Sequence, residues 1–597
     1  MVPTVVQRRA GLIVGLVFAS GLALLQVLIG GRGLLFPLPG YALLCIAALL
    51  AVWMVGRSRT PADSFCLYAT AIFCGYVGLR AIVSPGYFAR ADVLSVAGAL
   101  VVYGITTTVL TSSKARLAAV LTLLGVALVH VLIGAVQFSR GDNFMLIPFL
   151  QRADYGQRAS GFYVCPNHLA GLLEVVGIFG IALTCWGRLP VWAKLLIGYV
   201  TGLCYAGLAL TGSRGGYLSV LGSFVAFAIV SVIILRAAYP GRWLKFSAFG
   251  AGALVAVALF GTLLIQGSTF LSSRAGSIAD RKNVRMDLWQ ASIHQWHLQP
   301  IFGTGAGTYR FYGRQFRTEQ MQNDPVDVHN DYLHLLCEYG LFGVAAFLVF
   351  FSAHARQGWA CVSRQITSAQ RGGGLLSNRR ALCIGALAAI AAYVVHSGFD
   401  FNLHVPANAM LLAFVFGLIA HPTESHRPET SRDVLGQYPL WATAAVAAIL
   451  LVLCVRFFPA EYYMERARAA LRDEDPGASI LYANKALQYD RRNPELYFYL
   501  GRALMASSRG MDAADERVQR AESAVDAFHR AHSLAPLDSG YALSLAFAYD
   551  ELARFEDAER MYAVARARDP RSQAVSQLYQ AHLESREKSA SGPAGSL

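Results

Sequence analysis

The sequence predicts an all-α protein in which a polytopic helical membrane domain precedes a charged C-terminal region of helical repeats. Of the 597 residues, 55% are hydrophobic and 15% are charged, whereas soluble globular domains carry about 25% charged residues. Apolar runs long enough to cross a bilayer as helices recur between residues 11 and 457. After residue 458, charged residues return with a helical period.

The apolar runs predict about 12–13 transmembrane helices. Arg8 and Arg9 precede the first run, which lacks a convincing small-residue cleavage site and is therefore expected to persist as a transmembrane helix. The run after residue 398 is the least regular because Asp400 and His404 interrupt it. The predicted spans are 11–29, 38–55, 65–83, 92–111, 117–138, 167–186, 191–211, 216–235, 244–266, 333–353, 381–398, 405–420 and 439–457.

Basic residues in the loops predict the orientation, because lysine and arginine accumulate in short cytoplasmic loops. With the N-terminus in the cytoplasm, every loop that falls inside carries lysine or arginine. The segments 139–166 and 267–332 then lie outside, and an odd number of spans places the C-terminal region outside as well. These loops explain the net charge of +14, so we do not predict nucleic-acid binding.

The C-terminal region has the period of a helical repeat. Pro536 and Pro570 close two units 34 residues apart, which is the tetratricopeptide period. About three units predict an α-solenoid that binds a periplasmic protein partner, and truncation after Phe458 is expected to leave the membrane core active. The predicted domains are a membrane core 1–437 with the outer loop 267–332, a final transmembrane helix 438–458, tetratricopeptide repeats 459–588 and a disordered tail 589–597.

Arg285 is a candidate for binding a phosphate at the membrane surface. It borders an amphipathic helix whose predicted buried face consists of Met286, Trp289, Ile293 and Trp296. Tryptophans on such a face favour the membrane–water interface; the alternative is that Arg285 snorkels to a lipid phosphate. Segment 267–332 holds seven basic residues. Arg310 is a further candidate for substrate binding, and a solvated face is the alternative for most of the group.

Arg214 is a second candidate for binding an anion. It follows one predicted span and opens the next, so it lies at a helix N-terminus on the outer side. The helix dipole disfavours a cation there by about 0.3–1 kcal/mol, which indicates an anionic partner. Gly215 and Gly216 allow a close approach to the backbone. The alternative is an interfacial arginine that caps a tight hairpin.

His329 is a candidate general base. It lies just before a predicted span, near a helix N-terminus whose dipole favours a neutral imidazole. The neighbouring Asn330 is assigned to substrate binding. His329, Asp331 and His334 offer an alternative set of metal ligands, but their spacing does not match HExxH. We therefore predict no metal and no cofactor.

Asn167 and His168 open another predicted span after the first outer loop. Both are candidates for substrate binding. Because a proline followed by asparagine is also a good helix start, the alternative is a structural cap.

Four motifs together resemble the O-antigen ligase/polymerase superfamily: SRGG after a span, RMDLWQASIHQWHLQPIFGTGAGTY in the long outer loop, HNDYLHLLCEYGLFG entering the next span, and PNHLAG earlier in the chain. The resemblance covers roughly residues 10–420. It implies a GT-C-type glycosyltransferase of the bacterial inner membrane, which acts on the periplasmic side without a metal. Its usual functional residues, two arginines and a histidine, fall on Arg214, Arg285 and His329.

The resemblance also implies the substrates. The donor is a glycan linked to undecaprenyl diphosphate, and the acceptor is lipid A–core, another glycan or a protein. A ligase, a polymerase and a protein O-oligosaccharyltransferase therefore remain open, with ligase-like chemistry favoured. A non-catalytic transporter or scaffold is the alternative of a different class. A transporter would be expected to show polar residues at mid-membrane depth and inverted repeats, and neither is evident in the sequence.

Overall fold

The computed structural model describes residues 5–55, 62–84, 86–147, 150, 152, 154–267, 269, 272–273, 284–371, 374–421 and 438–590. These residues form 21 α-helices, and no strand occurs among them. The helices are α1 Val5–Val27, α2 Leu38–Val55, α3 Ser64–Val83, α4 Arg90–Thr108, α5 Ser113–Arg140, α6 Pro166–Trp186, α7 Val191–Thr211, α8 Arg214–Ala238, α9 Trp243–Gln266, α10 Val284–Leu298, α11 Tyr309–Phe316, α12 Asp331–Gln370, α13 Asn378–His396, α14 Pro406–Ala420, α15 Tyr438–Arg472, α16 Pro476–Tyr489, α17 Pro494–Arg509, α18 Ala514–Leu534, α19 Ser539–Glu551, α20 Phe555–Arg568 and α21 Gln573–Ala590.

The predicted all-α, multi-pass membrane fold is confirmed. Each predicted span coincides with one of the helices α1–α9 or α12–α15. Within the described ranges, nine helices are long and apolar enough to cross a membrane, and three shorter apolar helices accompany them. Two helices, α10 and α11, lie in the long loop between α9 and α12. We call the side that carries them the motif side.

The membrane domain is built around α6 and α14. Most residues of both helices are buried, as expected for helices that are apolar on most faces. Helices further out, such as α3, α7 and α8, expose large apolar side chains, among them Leu79, Trp192 and Leu221. This pattern fits a central core with a lipid-facing surface.

Helix α12 is broken at Gly340, and the break anchors the motif loop. Gly340 has a φ of +68°, and a Cβ atom there would lie 2.3 Å from the backbone oxygen of Ile301. The loop after α10 hydrogen-bonds to the exposed backbone: Phe342 donates to Ile301 at 3.0 Å, and Gly305 donates to Glu338 at 2.9 Å. The GTGAG and EYG segments are therefore hydrogen-bonded to each other, and this contact fixes α10 and α11 on α12.

The irregular stretch after residue 398 is a turn between α13 and α14. The start of α12 holds it, because the backbone N–H of Asp331 donates to the oxygen of Ser397 at 2.8 Å. The side chain of Asn330 also donates to the oxygen of Gly398 at 3.0 Å. This turn carries Asp400 to the motif side.

The C-terminal helices pack as successive pairs. The last turns of α15 pack on α16, α17 on α18 and α19 on α20, and α21 caps the final pair. We call residues 459–590 the helical array; it lies on the motif side, because it contacts α11. Its assignment to tetratricopeptide repeats remains a prediction. Helix α21 continues to Ala590, beyond the predicted start of the tail, and residues 591–597 lie outside the described part of the chain.

Candidate functional site

The buried carboxylate of Asp400 contacts side chains from three separate segments of the chain. Its Oδ2 atom accepts a hydrogen bond from Nδ2 of Asn167 at 2.5 Å and lies 3.4 Å from Nη2 of Arg285. Its Oδ1 atom lies 3.1 Å from Nδ1 of His329 and accepts from the backbone N–H of Phe401 at 2.9 Å. The side chain of Asp400 is 1% exposed. We call Asp400, Asn167, Arg285 and His329 the Asp400 cluster.

His329 is oriented by this contact. A carboxylate accepts hydrogen bonds, so Nδ1 donates and Nε2 is the ring nitrogen that can take a proton. The ring also packs edge-on against Phe401, with centroids 4.6 Å apart. The backbone of His329 has a φ of +53°, an uncommon value for a residue other than glycine. The side chain is therefore held in one orientation just before α12 begins.

Arg285 lies at the start of the described part of α10, and the residues directly before Val284 lie outside the described part of the chain. The face predicted to lie at the membrane–water interface is only partly covered by the protein: Met286 is 58% exposed, and Trp289 and Trp296 pack partly buried against the cluster that contains Leu288. The small and polar side of α10 packs on the loop after it, where Gln295 donates to Thr304 at 2.7 Å. Apolar periodicity does not detect such a contact. The buried residues of α10 are Leu288, Ala291, Ser292 and Gln295.

Asn167 is the second residue of α6 and links Asp400 to a buried arginine. Its Oδ1 atom accepts from Nη2 of Arg158 at 2.6 Å, and Nε of Arg158 donates to the oxygen of Thr211 at 2.8 Å. His168, its neighbour, is 1% exposed. The Nε2 atom of His168 has no hydrogen-bond partner within the described residues. The structure thus brings Asn167 into the cluster, whereas His168 lies buried beside it.

Arg214 is the first residue of α8, as predicted. Ser213 caps the helix by accepting from the backbone N–H of Gly216 at 3.2 Å. A Cβ atom on Gly215 would lie 3.1 Å from the ring of His396, so the start of α8 packs against the end of α13. Arg214 therefore opens a helix that packs beside the turn that carries Asp400, and a side chain in place of Gly215 would require the ring of His396 to shift by a few tenths of an ångström.

The electrostatic environment of Asp400 favours negatively charged groups. Burial opposes ionisation, but the hydrogen bond from His329 and the charge of Arg285 hold the pKa of Asp400 well below its usual range. Helices α6, α8 and α12 all begin beside this turn. Helix N-termini carry partial positive charge and bind anions such as phosphate. The site is therefore suited to an anionic ligand.

Asn330 and Arg310 occupy positions that differ from the predicted site. Asn330 caps α12, since its Oδ1 atom accepts from the backbone N–H groups of Tyr332 and Leu333 at 3.0 and 3.1 Å. Its amide nitrogen is also engaged within the protein. The guanidinium of Arg310 lies 3.6 Å from the ring centroid of Phe88 and faces the helical array. A substrate-binding role for either residue remains a prediction.

A second polar cluster lies on the other flank of the α12 start. Asp331 pairs with His404 at 3.2 Å, and His404 stacks on His334 with ring centroids 3.9 Å apart. Burial lowers the pKa of His404, but Asp331, with the charges of Asp92 and Asp327, outweighs burial and raises it to about 9. Asp331 and His404 line one end of an otherwise largely apolar cavity of about 220 Å³ between α3, α4, α12 and α14.

The alternative metal set does not come together. His329 contacts Asp400, Asp331 contacts His404, and His334 lies 3.4 Å from Glu338. Among the residues that the structure describes, no group of three or more histidine, cysteine, aspartate or glutamate side chains is arranged to hold a metal ion.

Sequence reasoning missed Asp400 and Arg158. Asp400 was treated as an interruption of a span, although an acidic residue inside an apolar stretch is itself a functional signal. Arg158 lies in the first outer loop, where nothing in the sequence distinguishes it from Arg152. Its role becomes visible only through its contact with Asn167.

The fold and the site define a multi-pass membrane protein in which a histidine and an arginine, both partly exposed, contact a buried carboxylate. Residues 199–348 match the family model described as O-Antigen ligase. The chain therefore contains an O-antigen ligase domain, which supports the predicted resemblance to the O-antigen ligase superfamily. The match includes Arg214, Arg285 and His329, whereas Asp400 and the helical array lie beyond it. No curated protein matches the chain.

Proposed function

We propose that the chain is an O-antigen ligase-like glycosyltransferase of the bacterial inner membrane. It moves a glycan from undecaprenyl diphosphate to an acceptor hydroxyl on the periplasmic face. The observation that supports this most is the Asp400 cluster, which unites His329 with Arg285 at the N-termini of membrane helices. The N-terminus is cytoplasmic in this proposal, and the motif side is periplasmic.

His329 acts as the general base. Asp400 orients the imidazole through Nδ1, so Nε2 takes the proton of the acceptor hydroxyl. The acceptor oxygen forms a bond to the anomeric carbon while the bond from that carbon to the diphosphate oxygen breaks. The electron pair leaves with undecaprenyl diphosphate, and a single displacement of this kind inverts the anomeric configuration.

Arg214 and Arg285 stabilise the leaving diphosphate. A guanidinium carries five N–H donors that match phosphate oxygens in a bidentate geometry. Arg285 can therefore keep its contact with Asp400 and still bind phosphate. The N-termini of α6, α8 and α12 add partial positive charge. Together these groups supply the charge stabilisation for which other transferases use a metal.

Asn167 and Arg158 stabilise the position of Asp400 on the side away from His329. Asn167 donates to Asp400 and accepts from Arg158, which fixes the carboxylate opposite His329. These contacts favour a positioning role for Asn167. Direct contact of substrate with His168, Asn330 or Arg310 remains part of the prediction from sequence.

The acceptor decides between three related reactions: a ligase uses lipid A–core, a polymerase uses another glycan, and a protein O-oligosaccharyltransferase uses a serine or threonine. Glycans from a deletion strain separate these reactions on a gel, by loss of the ladder, by collapse to single repeats, or by loss of protein glycosylation. Complementation with His329→Ala tests the enzyme itself. Full complementation by this variant would favour the alternative of a non-catalytic scaffold or transporter.

A further inference from the structure

The helical array contacts the membrane domain through three arginines, two on α11 and one directly after it. Arg310 and Arg314 are four residues apart and share one face of α11, and Arg317 follows the last residue of the helix, Phe316. Nη1 of Arg314 lies 2.8 Å from Asp538, and Nη2 of Arg310 lies 4.0 Å from Glu495. Two carboxylates of the array, those of Glu495 and Asp538, thus pair with arginines on neighbouring turns of α11.

The third pair is the most buried. Nε of Arg317 donates to Oδ1 of Asp569 at 2.7 Å, and Nη2 contacts the other carboxylate oxygen. Both side chains are 3% exposed. A bidentate pair of this kind fixes orientation as well as distance. Backbone contacts extend it, since Arg571 donates to the backbone oxygen of Arg317 at 2.9 Å and the backbone N–H of Gln573 donates to Gln322 at 3.0 Å.

The carboxylates occupy equivalent places in the array. Asp490, Asp538 and Asp569 each lie in a turn that joins one helix pair to the next helix. Asp490 pairs with Arg90 at the start of α4. Near this contact, Phe88 packs against a cluster of array residues formed by Ala531, Ala535 and Tyr541. Each inter-pair turn therefore presents one carboxylate to an arginine of the membrane domain.

Helix α11 is tied in turn to both motif helices. The hydroxyl of Tyr309 donates to the backbone oxygen of Leu288 in α10 at 2.9 Å, and its backbone N–H donates to Glu338 in α12 at 2.8 Å. Arg285 lies one turn before Leu288, and α12 follows directly on His329. A displacement of α11 thus reaches the two segments that carry the Asp400 cluster.

We propose that the helical array is a structural part of the functional site, which positions Arg285 and His329 by holding α11. The proposal rests on the proposed function for the role of these two residues. It leads to the opposite expectation from the sequence, in which the array serves a partner alone and its removal spares the chemistry. Arg310, Arg314 and Arg317 are accordingly positioning residues.

The test uses the full chain in lipid nanodiscs with Arg317→Ala, Asp569→Ala and the double variant. Hydrogen exchange of 284–298 should rise on the order of tenfold in each single variant. The double variant should be no worse than either single one, because the pair acts as a unit. Arg509→Ala is the matched control: it removes a pair with Glu551 that is 60% and 40% exposed and does not contact α11.

Kinetics with an undecaprenyl-diphosphate-linked glycan separate positioning from general destabilisation. Folded Arg317→Ala should lose kcat with little change in KM for the donor, and Asp538→Ala should do the same more weakly. If the hydrogen exchange of residues 284–298 stays at the wild-type level in both Arg317→Ala and Asp569→Ala, the proposal is overturned. If the wild-type chain does not turn over the donor, the proposed function fails, and the exchange data still decide whether the array holds α10.

Discussion

The Nδ1 atom of His329 lies 3.1 Å from Oδ1 of Asp400, which joins the segment just before α12 to the turn between α13 and α14. The two residues are 71 positions apart in the chain. Asp400 has no access to solvent beyond 1% of its side chain. The contact therefore orients the imidazole within the protein.

Asp400→Asn keeps the size of the side chain and removes its charge. We expect the rate of glycan transfer to fall on the order of 10²–10⁴-fold, because the amide no longer fixes the tautomer of His329. Initial rates with purified protein measure the effect. Asp142→Asn, at an exposed carboxylate paired with Arg140, is the control. A wild-type rate in Asp400→Asn would remove the carboxylate from the mechanism.

Arg214→Ala and Arg285→Ala should each lower kcat on the order of 10²–10³-fold, because each removes a charged donor to the leaving diphosphate. Lysine at either position should rescue poorly, since it lacks the bidentate geometry. Arg140→Ala, at an exposed arginine of the first outer loop, should retain activity. Equal rates in all of these variants would leave the two arginines as interfacial residues.

The raised pKa of His404 predicts that the folded protein loses stability at alkaline pH. Its pKa is raised from 6.5 to about 9, chiefly by Asp331 once the opposing effect of burial is overcome. The protonated form is therefore stabilised by folding, and this contribution is complete below pH 6.5 and lost as the pH rises through 9. The apparent Tm of the wild type in detergent should fall across this range.

His404→Gln should have a lower Tm at pH 6 and a smaller decrease toward pH 10, as read from the same melts. His297→Gln, at an exposed position on α10, is the control and should follow the wild type. A wild type and a His404→Gln variant with parallel pH profiles would contradict the stabilising role of the Asp331–His404 pair.

Hydropathy predicted the membrane helices because the spanning length and the apolar period are local properties of the chain. The site was predictable to the extent that single motifs carry its residues: Arg285, His329 and Asn167 come from three motifs and meet at one carboxylate. Asp400 itself was missed, since its partners lie far away in sequence and it breaks an otherwise apolar run.

Contacts between distant segments explain the remaining differences. Arg310 was predicted to bind substrate because it lies outside, but its partners Phe88 and Glu495 belong to a distant loop and to the array. The burial of Gln295 on the other side of α10 was not predicted, because it is produced by hydrogen bonds rather than by apolar contact. No local pattern shows which surface of the repeats faces the membrane domain.

Topology is testable by cysteine labelling. Asn323 is exposed on the motif side, and Leu376, which is 48% exposed, lies between α12 and α13. In a background with the exposed Cys185 replaced by serine, Asn323→Cys should react with an impermeant maleimide in intact spheroplasts and Leu376→Cys should react only after lysis. The reverse pattern would place the motif side in the cytoplasm.

The most direct test is release of undecaprenyl diphosphate by the purified full chain. The chain is reconstituted in nanodiscs with the undecaprenyl-diphosphate-linked glycan of its host and each acceptor class in turn, in excess chelator. We expect the wild type to release undecaprenyl diphosphate and glycosylate one acceptor with inverted anomeric configuration, and His329→Ala and Arg285→Ala to lose this activity. An intact donor with every acceptor, or equal turnover by His329→Ala and the wild type, would contradict the account.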